Sequence, residues 1–144
     1  MTKQAIPRLV PQPNEVDLGG EVRSPIDVLR AQTAYWKDLT NGDVLAEVER
    51  AITTPDRIAY WFGFVVPTLD GYRYRLFLVE HGLEFYPAWL SSERGDPNPI
   101  EVPDEEALYA ELRTRFSSEK TLNIVRQLRA LAAETQAEKA LEKD

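Results

Sequence analysis

The sequence predicts an α+β fold: an N-terminal helix, a four-stranded antiparallel meander and two C-terminal helices. Three observations predict it. The stretch Ile58 to Leu90 is rich in aromatic residues and is cut by the turn pairs Asp70-Gly71 and His81-Gly82. A capped amphipathic segment starts at Ser24-Pro25, and two leucine-bearing segments with helical spacing follow Asp104.

Residues 1–23 hold Pro7, Pro11, Pro13 and Gly19-Gly20 in a polar context, so neither helix nor ladder strand propagates there. They read as an extended or disordered N-terminal arm that Ile6, Leu9 and Val10 would dock. Ser24 supplies a hydroxyl to cap free amides, Pro25 suits the first helical position, and Asp27 complements the positive end of the helix dipole. Ile26, Leu29, Thr33 and Trp36 share one face, and Asn41-Gly42 ends a helix placed at Pro25 to about Leu39.

Val44 to Ile52 alternates as a strand, with a helix as the competing reading. After the Thr53–Asp56 turn, Ile58 to Val66 is a nearly continuous apolar strand, and Tyr72 to Glu80 and Leu83 to Leu90 complete the meander. Pro87 suits an edge, where a missing amide breaks no ladder. Ser91 to Pro103 reads as a proline-broken loop. Asp104-Glu105-Glu106 opens a helix carrying Leu108, Leu112 and Phe116; Ser117 or Ser118 caps the last one, with Leu122, Val125, Leu128 and Leu131. A single domain over residues 24–133 and a frayed helical tail over 134–144 follow.

At 144 residues, 43% hydrophobic and 28% charged, the chain suits one ordinary globular core. With no cysteine it has neither a disulfide framework nor a thiolate site, and the expected address is the cytoplasm. No signal-peptide or membrane-length apolar run occurs. A net charge of −7 disfavours nucleic acid.

Counting through two-residue turns at Asp70-Gly71 and His81-Gly82, and a four-residue loop over 54–57, assigns two sheet faces. One carries Val48, Trp61, Val65, Tyr74, Leu76, Leu78, Phe85 and Trp89 and reads as the core. The other carries Tyr60, Phe62, Phe64, Phe77, Val79 and Tyr86, rimmed by Glu47, Glu49, Arg73, Arg75 and Glu84. An apolar patch with a charged rim has the composition of an interaction surface. A helix on each face would instead bury both.

Catalytic constellations are missing from the sequence. His81 is the single histidine and sits in a turn, which excludes a multi-histidine metal site and the usual serine triad within this chain. Glu80 and Glu84 flank that turn as a weak acid–base pair. No glycine-rich phosphate loop occurs, and no cofactor or metal is expected. The chain therefore reads as a non-enzymatic protein-binding adaptor or inhibitor, in the broad class of immunity proteins, antitoxins and chaperones. Its expected partner-binding residues are Tyr60, Phe62, Phe64, Arg73, Arg75, Phe77 and Tyr86, and its partner is another protein or a second copy. Two rivals stand beside this reading. One is a small-ligand or enzymatic pocket between sheet and helices, lined by Trp61, Tyr74 and Trp89 with Arg73, Arg75, Glu80 or His81; the other is a structural homodimer.

Overall fold

Helix α1 spans Pro25–Leu39 and starts where its local chemistry demands. The Ser24 hydroxyl accepts from the Asp27 N–H at 3.3 Å while the Ser24 N–H donates to the Asp27 carboxylate at 3.4 Å, a reciprocal capping box. At its far end Asn41 and Gly42 both take positive φ, 53° and 80°, and the Gly42 N–H donates to the Lys37 carbonyl at 2.9 Å. Thr40, 1% exposed, then ties helix to sheet: its hydroxyl lies 2.8 Å from the Val44 carbonyl and accepts from the Val44 N–H at 3.3 Å.

The computed structural model describes residues 5–15, 23–52, 54–93 and 95–142. After α1 come β1 (Leu45–Arg50), β2 (Ile58–Val66), a 3-10 turn (Pro67–Leu69), β3 (Tyr72–His81), β4 (Ala88–Ser91), β5 (Ile100–Val102), α2 (Glu105–Phe116) and α3 (Glu119–Glu142). The sheet is antiparallel throughout, in the order β1-β2-β3-β4-β5. The architecture is the expected α+β fold, with five strands where the sequence predicts four.

The extra strand, β5, lies between Pro99 and Pro103 in the segment expected to be a loop. Prolines at both ends limit it to three residues and leave it at the sheet edge, where it pairs only with β4. The fourth strand also starts later than expected. Pro87 has no amide to donate, and residues 82–87 form a loop that brings the chain to Ala88. Residues 5–15 carry no helix or strand, and Ile6, Leu9 and Val10 are exposed; the rest of the expected arm lies outside the described residues. Helix α3 is continuous to Glu142, through the segment expected to fray, and Lys139 donates to the Thr68 carbonyl at 3.3 Å. No helix among the described residues is long and apolar enough to cross a membrane.

All three helices cover the same face of the sheet. The core beneath them gathers Leu29 and Trp36 of α1, Phe62, Phe64 and Val66 of β2, Phe77 and Val79 of β3, Leu90 of β4, Leu108 and Leu112 of α2, and Val125 and Leu128 of α3. At its centre Phe62 and Phe77 stack across strands with centroids 5.3 Å apart. Phe116 lies 5.1 Å from Phe62, and Trp36 meets Phe64 edge-on at 5.1 Å.

One irregularity sets the phase of β3. Phe62 pairs with Phe77 but Gly63 pairs with Arg75, so Leu76 is an extra residue that reverses the facing of everything before it. The bulge requires glycine opposite it: a Cβ on Gly63 would stand 2.5 Å from the Tyr74 carbonyl oxygen and 3.2 Å from the Arg75 Cα, both backbone atoms that cannot rotate away. We expect Gly63→Ala to lower stability by about 1–3 kcal/mol, the usual range for overpacking, read as an earlier urea midpoint. An unchanged midpoint would refute the close-approach account.

Candidate functional site

The sheet face away from the helices alternates charge and aromatic rings. On β1 it carries Leu45, Glu47 and Glu49; on β2, Ala59, Trp61 and Val65; on β3, Arg73, Arg75, Leu78 and Glu80; on β4, Trp89. Trp61 packs on Ala51, Ala59 and Leu78, a satellite cluster separate from the main core. Both tryptophans are half-buried.

The ion pairs on this face depend on the same glycine as the bulge. Glu47, Gly63 and Arg75 lie in one cross-strand row, and β1 and β3 stand two strand spacings, roughly 10 Å, apart. With no side chain at Gly63, the long chains from both flanks reach over β2. Arg73 meets Glu47 at 3.3 Å and Arg75 meets Glu49 at 3.2 Å. The Arg75 guanidinium also lies 5.3 Å from the Trp61 ring centroid. A second unit repeats the pattern: Arg57 sits 4.4 Å over the Trp89 ring and 3.5 Å from Glu80. Each ring thus carries an arginine that a carboxylate holds in place. Beside Trp89 is a depression of about 370 Å³ lined by Arg57, Leu83, Glu84 and Pro87, with Leu83 96% exposed.

The structure does not bring the expected binding residues together. Phe62, Phe64 and Phe77 are fully buried under the helices and are unavailable to a partner. Tyr60 and Tyr86 are half-buried on the helix side, Tyr86 in the loop before β4. Arg73 and Arg75 lie on the opposite face, exposed. Two one-residue differences explain the split. Arg50 pairs with Tyr60, one step away from the register that a four-residue loop imposes, which turns Glu47 and Glu49 over and puts Val48 opposite Phe62. The bulge at Leu76 does the same for Arg73 and Arg75. Trp61, Val65, Leu78 and Trp89, expected in the core, line the helix-free face. The pairings Glu47-x-Glu49 and Arg73-x-Arg75 were the signal available in the sequence: complementary doublets on the strands either side of β2.

The pocket expected between sheet and helices is not formed by Trp61 and Trp89, which point away from the helices. Tyr74 instead lines a recess of about 250 Å³ with Arg75, Arg115 and Ser118. His81, expected as a turn residue, ends β3 and is 2% exposed, its Nδ1 2.7 Å from the Gly82 carbonyl and its ring edge-on to Phe85. Among the described residues no three histidine, aspartate or glutamate side chains converge as metal ligands.

On the helix side, Arg23 pairs with Glu105 at 3.0 Å and the Tyr109 hydroxyl donates to the same carboxylate at 2.9 Å, an interaction that raises the Tyr109 pKa. The neighbouring Tyr86 hydroxyl is buried with no hydrogen-bond partner among the described residues. Burial, with a smaller contribution from Glu105, pushes its phenol up to about 12. Comparison with protein-family models, with curated proteins and with solved structures returns no match.

Because the unfolded phenol ionises near 10 and the folded one near 12, the folded state holds this proton where the unfolded state has released it. Stability therefore falls as pH rises from about 10 to about 12. Tyr86→Phe should remove that component, delete the latest tyrosine in an ultraviolet titration, and leave stability at neutral pH unchanged or higher, because an unpaired buried hydroxyl is lost. A neutral-pH loss above about 1 kcal/mol would mean that the hydroxyl is satisfied after all.

Proposed function

We propose that this chain is a non-enzymatic adaptor or inhibitor that binds another protein through the helix-free face of its sheet, around Trp61 and Trp89. The observation that carries this reading is the one-sided packing: every helix among the described residues lies on one face, while the other presents two tryptophans, each beneath an arginine and beside a carboxylate. Tryptophan and arginine are the residues that most often dominate binding energy at protein interfaces, and rigid strands hold these at fixed spacing. The ion pairs supply a rim of both charge signs, which suits register and selectivity more than raw affinity.

The net charge of −7 argues for a protein partner over nucleic acid. The lack of cysteine suits a reducing cytoplasm. Arg75→Glu changes an exposed position and reverses one end of an ion pair, so the fold survives it.

The test is affinity recovery of a tagged chain from its own cells, with sedimentation of the purified protein over a range of concentrations. We expect a monomer that recovers a defined protein, and Trp89→Ala and Arg75→Glu should each weaken that complex by about 2 kcal/mol or more while circular dichroism stays native. A partner retained equally by both variants would place binding elsewhere. A concentration-dependent dimer that either variant dissociates would reassign the face as a self-interface.

A further inference from the structure

A further concave feature lies on the helix side of the molecule, between α1 and α2. It has a volume of about 470 Å³ and a floor of Val28, Leu112 and Phe116, with Tyr35 and Tyr109 as walls. That size falls within the range of small-molecule sites, which are mostly apolar with a few fixed polar groups. Tyr35 is 68% exposed, a large aromatic side chain standing beside the opening.

The charges around this groove are not equivalent. Asp27 is engaged at the start of its own helix, accepting from the Ser24 N–H. Arg23 is held by Glu105, which also takes the Tyr109 hydroxyl. Arg113, exposed at the rim, makes no ion pair among the described residues. Asp27 likewise makes no ion pair among the described residues, but its carboxylate is taken up in the capping box at the positive end of α1, so the charge left with neither a counter-ion nor a helix terminus to satisfy it is Arg113, a planar guanidinium beside an aromatic-walled cleft.

We propose that this groove binds a small aromatic carboxylate, its ring against Phe116 and Leu112 between Tyr35 and Tyr109, and its carboxylate on Arg113. A guanidinium takes a carboxylate through two parallel hydrogen bonds, which fixes orientation as well as charge. Flat tyrosine walls and an apolar floor suit a fused ring. A cationic ligand would meet two guanidiniums at the mouth, with Glu105 paired to Arg23 and Asp27 held in the capping box at the positive end of α1. The site is independent of the tryptophan face, since it uses α1 and α2 and none of that face's residues.

Backbone-amide NMR titration of the full chain with naphthoate, with uncharged naphthamide and with naphthylmethylammonium tests the proposal. Naphthoate should bind and perturb amides on the facing sides of α1 and α2, with the amide and the ammonium at least about tenfold weaker. Arg113→Gln should weaken naphthoate by about tenfold, Arg113→Lys should restore part of the loss, and Tyr35→Ala should weaken all three probes. Perturbations confined to the sheet face, equal binding of naphthamide, or unchanged affinity in Arg113→Gln would each overturn it. The ligand comparison on the unaltered chain decides the matter even if a variant fails to fold.

Discussion

The stacked pair Phe62 and Phe77 is the contact on which the rest of the structure depends. It joins the two longest strands at the point where their register shifts, with the rings 5.3 Å apart and nearly parallel. Phe116 at the end of α2 lies on both rings, and Trp36 of α1 reaches Phe116 at 5.5 Å, so one aromatic group connects the sheet to two helices. Such pairs add to simple burial because ring edges and faces carry opposite partial charge. A full set of large rings on one face draws the helices to that face, which leaves the other without a helical cover among the described residues.

Gly63 links this core to the surface behind it. Its missing side chain lets β3 approach closely at the bulge, and it opens the row across which Glu47 and Glu49 reach Arg73 and Arg75. Without the extra residue at Leu76, Arg75 and Phe77 would share a face, and a guanidinium would compete with the core aromatics for burial. The bulge thus sets Arg73 and Arg75 on one side of the sheet and Phe77 and Val79 on the other.

The helices were legible in the sequence because their determinants are local. Ser24, Pro25 and Asp27 specify the start of α1, and Asp104, whose carboxylate accepts from the Ala107 N–H at 2.8 Å, specifies α2. The boundaries of β2 were equally legible from its apolar run and flanking turns. Sheet facing was not, because it depends on contacts between distant residues. A one-residue difference before β2 and one extra residue in β3 were enough to exchange Glu47, Glu49, Arg73 and Arg75 between faces. The tryptophans likewise read as core residues in the sequence, because size and hydrophobicity do not say which face the helices will cover. β5 is not legible in the sequence, because three residues between prolines carry too little pattern to separate a strand from a loop.

The glutamates of β1 have a further consequence for how molecules of this chain meet in concentrated solution. β1 is an edge strand, and an antiparallel encounter of two such edges that keeps the faces matched sets Glu47 against Glu49, or a glutamate against its own copy. Carboxylates directly opposed in this way repel, to the extent that the ion pairs with the arginines of β3 leave their charge uncompensated. The opposite edge, β5, is only three residues long. Both borders of the sheet therefore discourage strand-to-strand polymerisation, so the exposed tryptophan face can exist without the chain growing into fibrils.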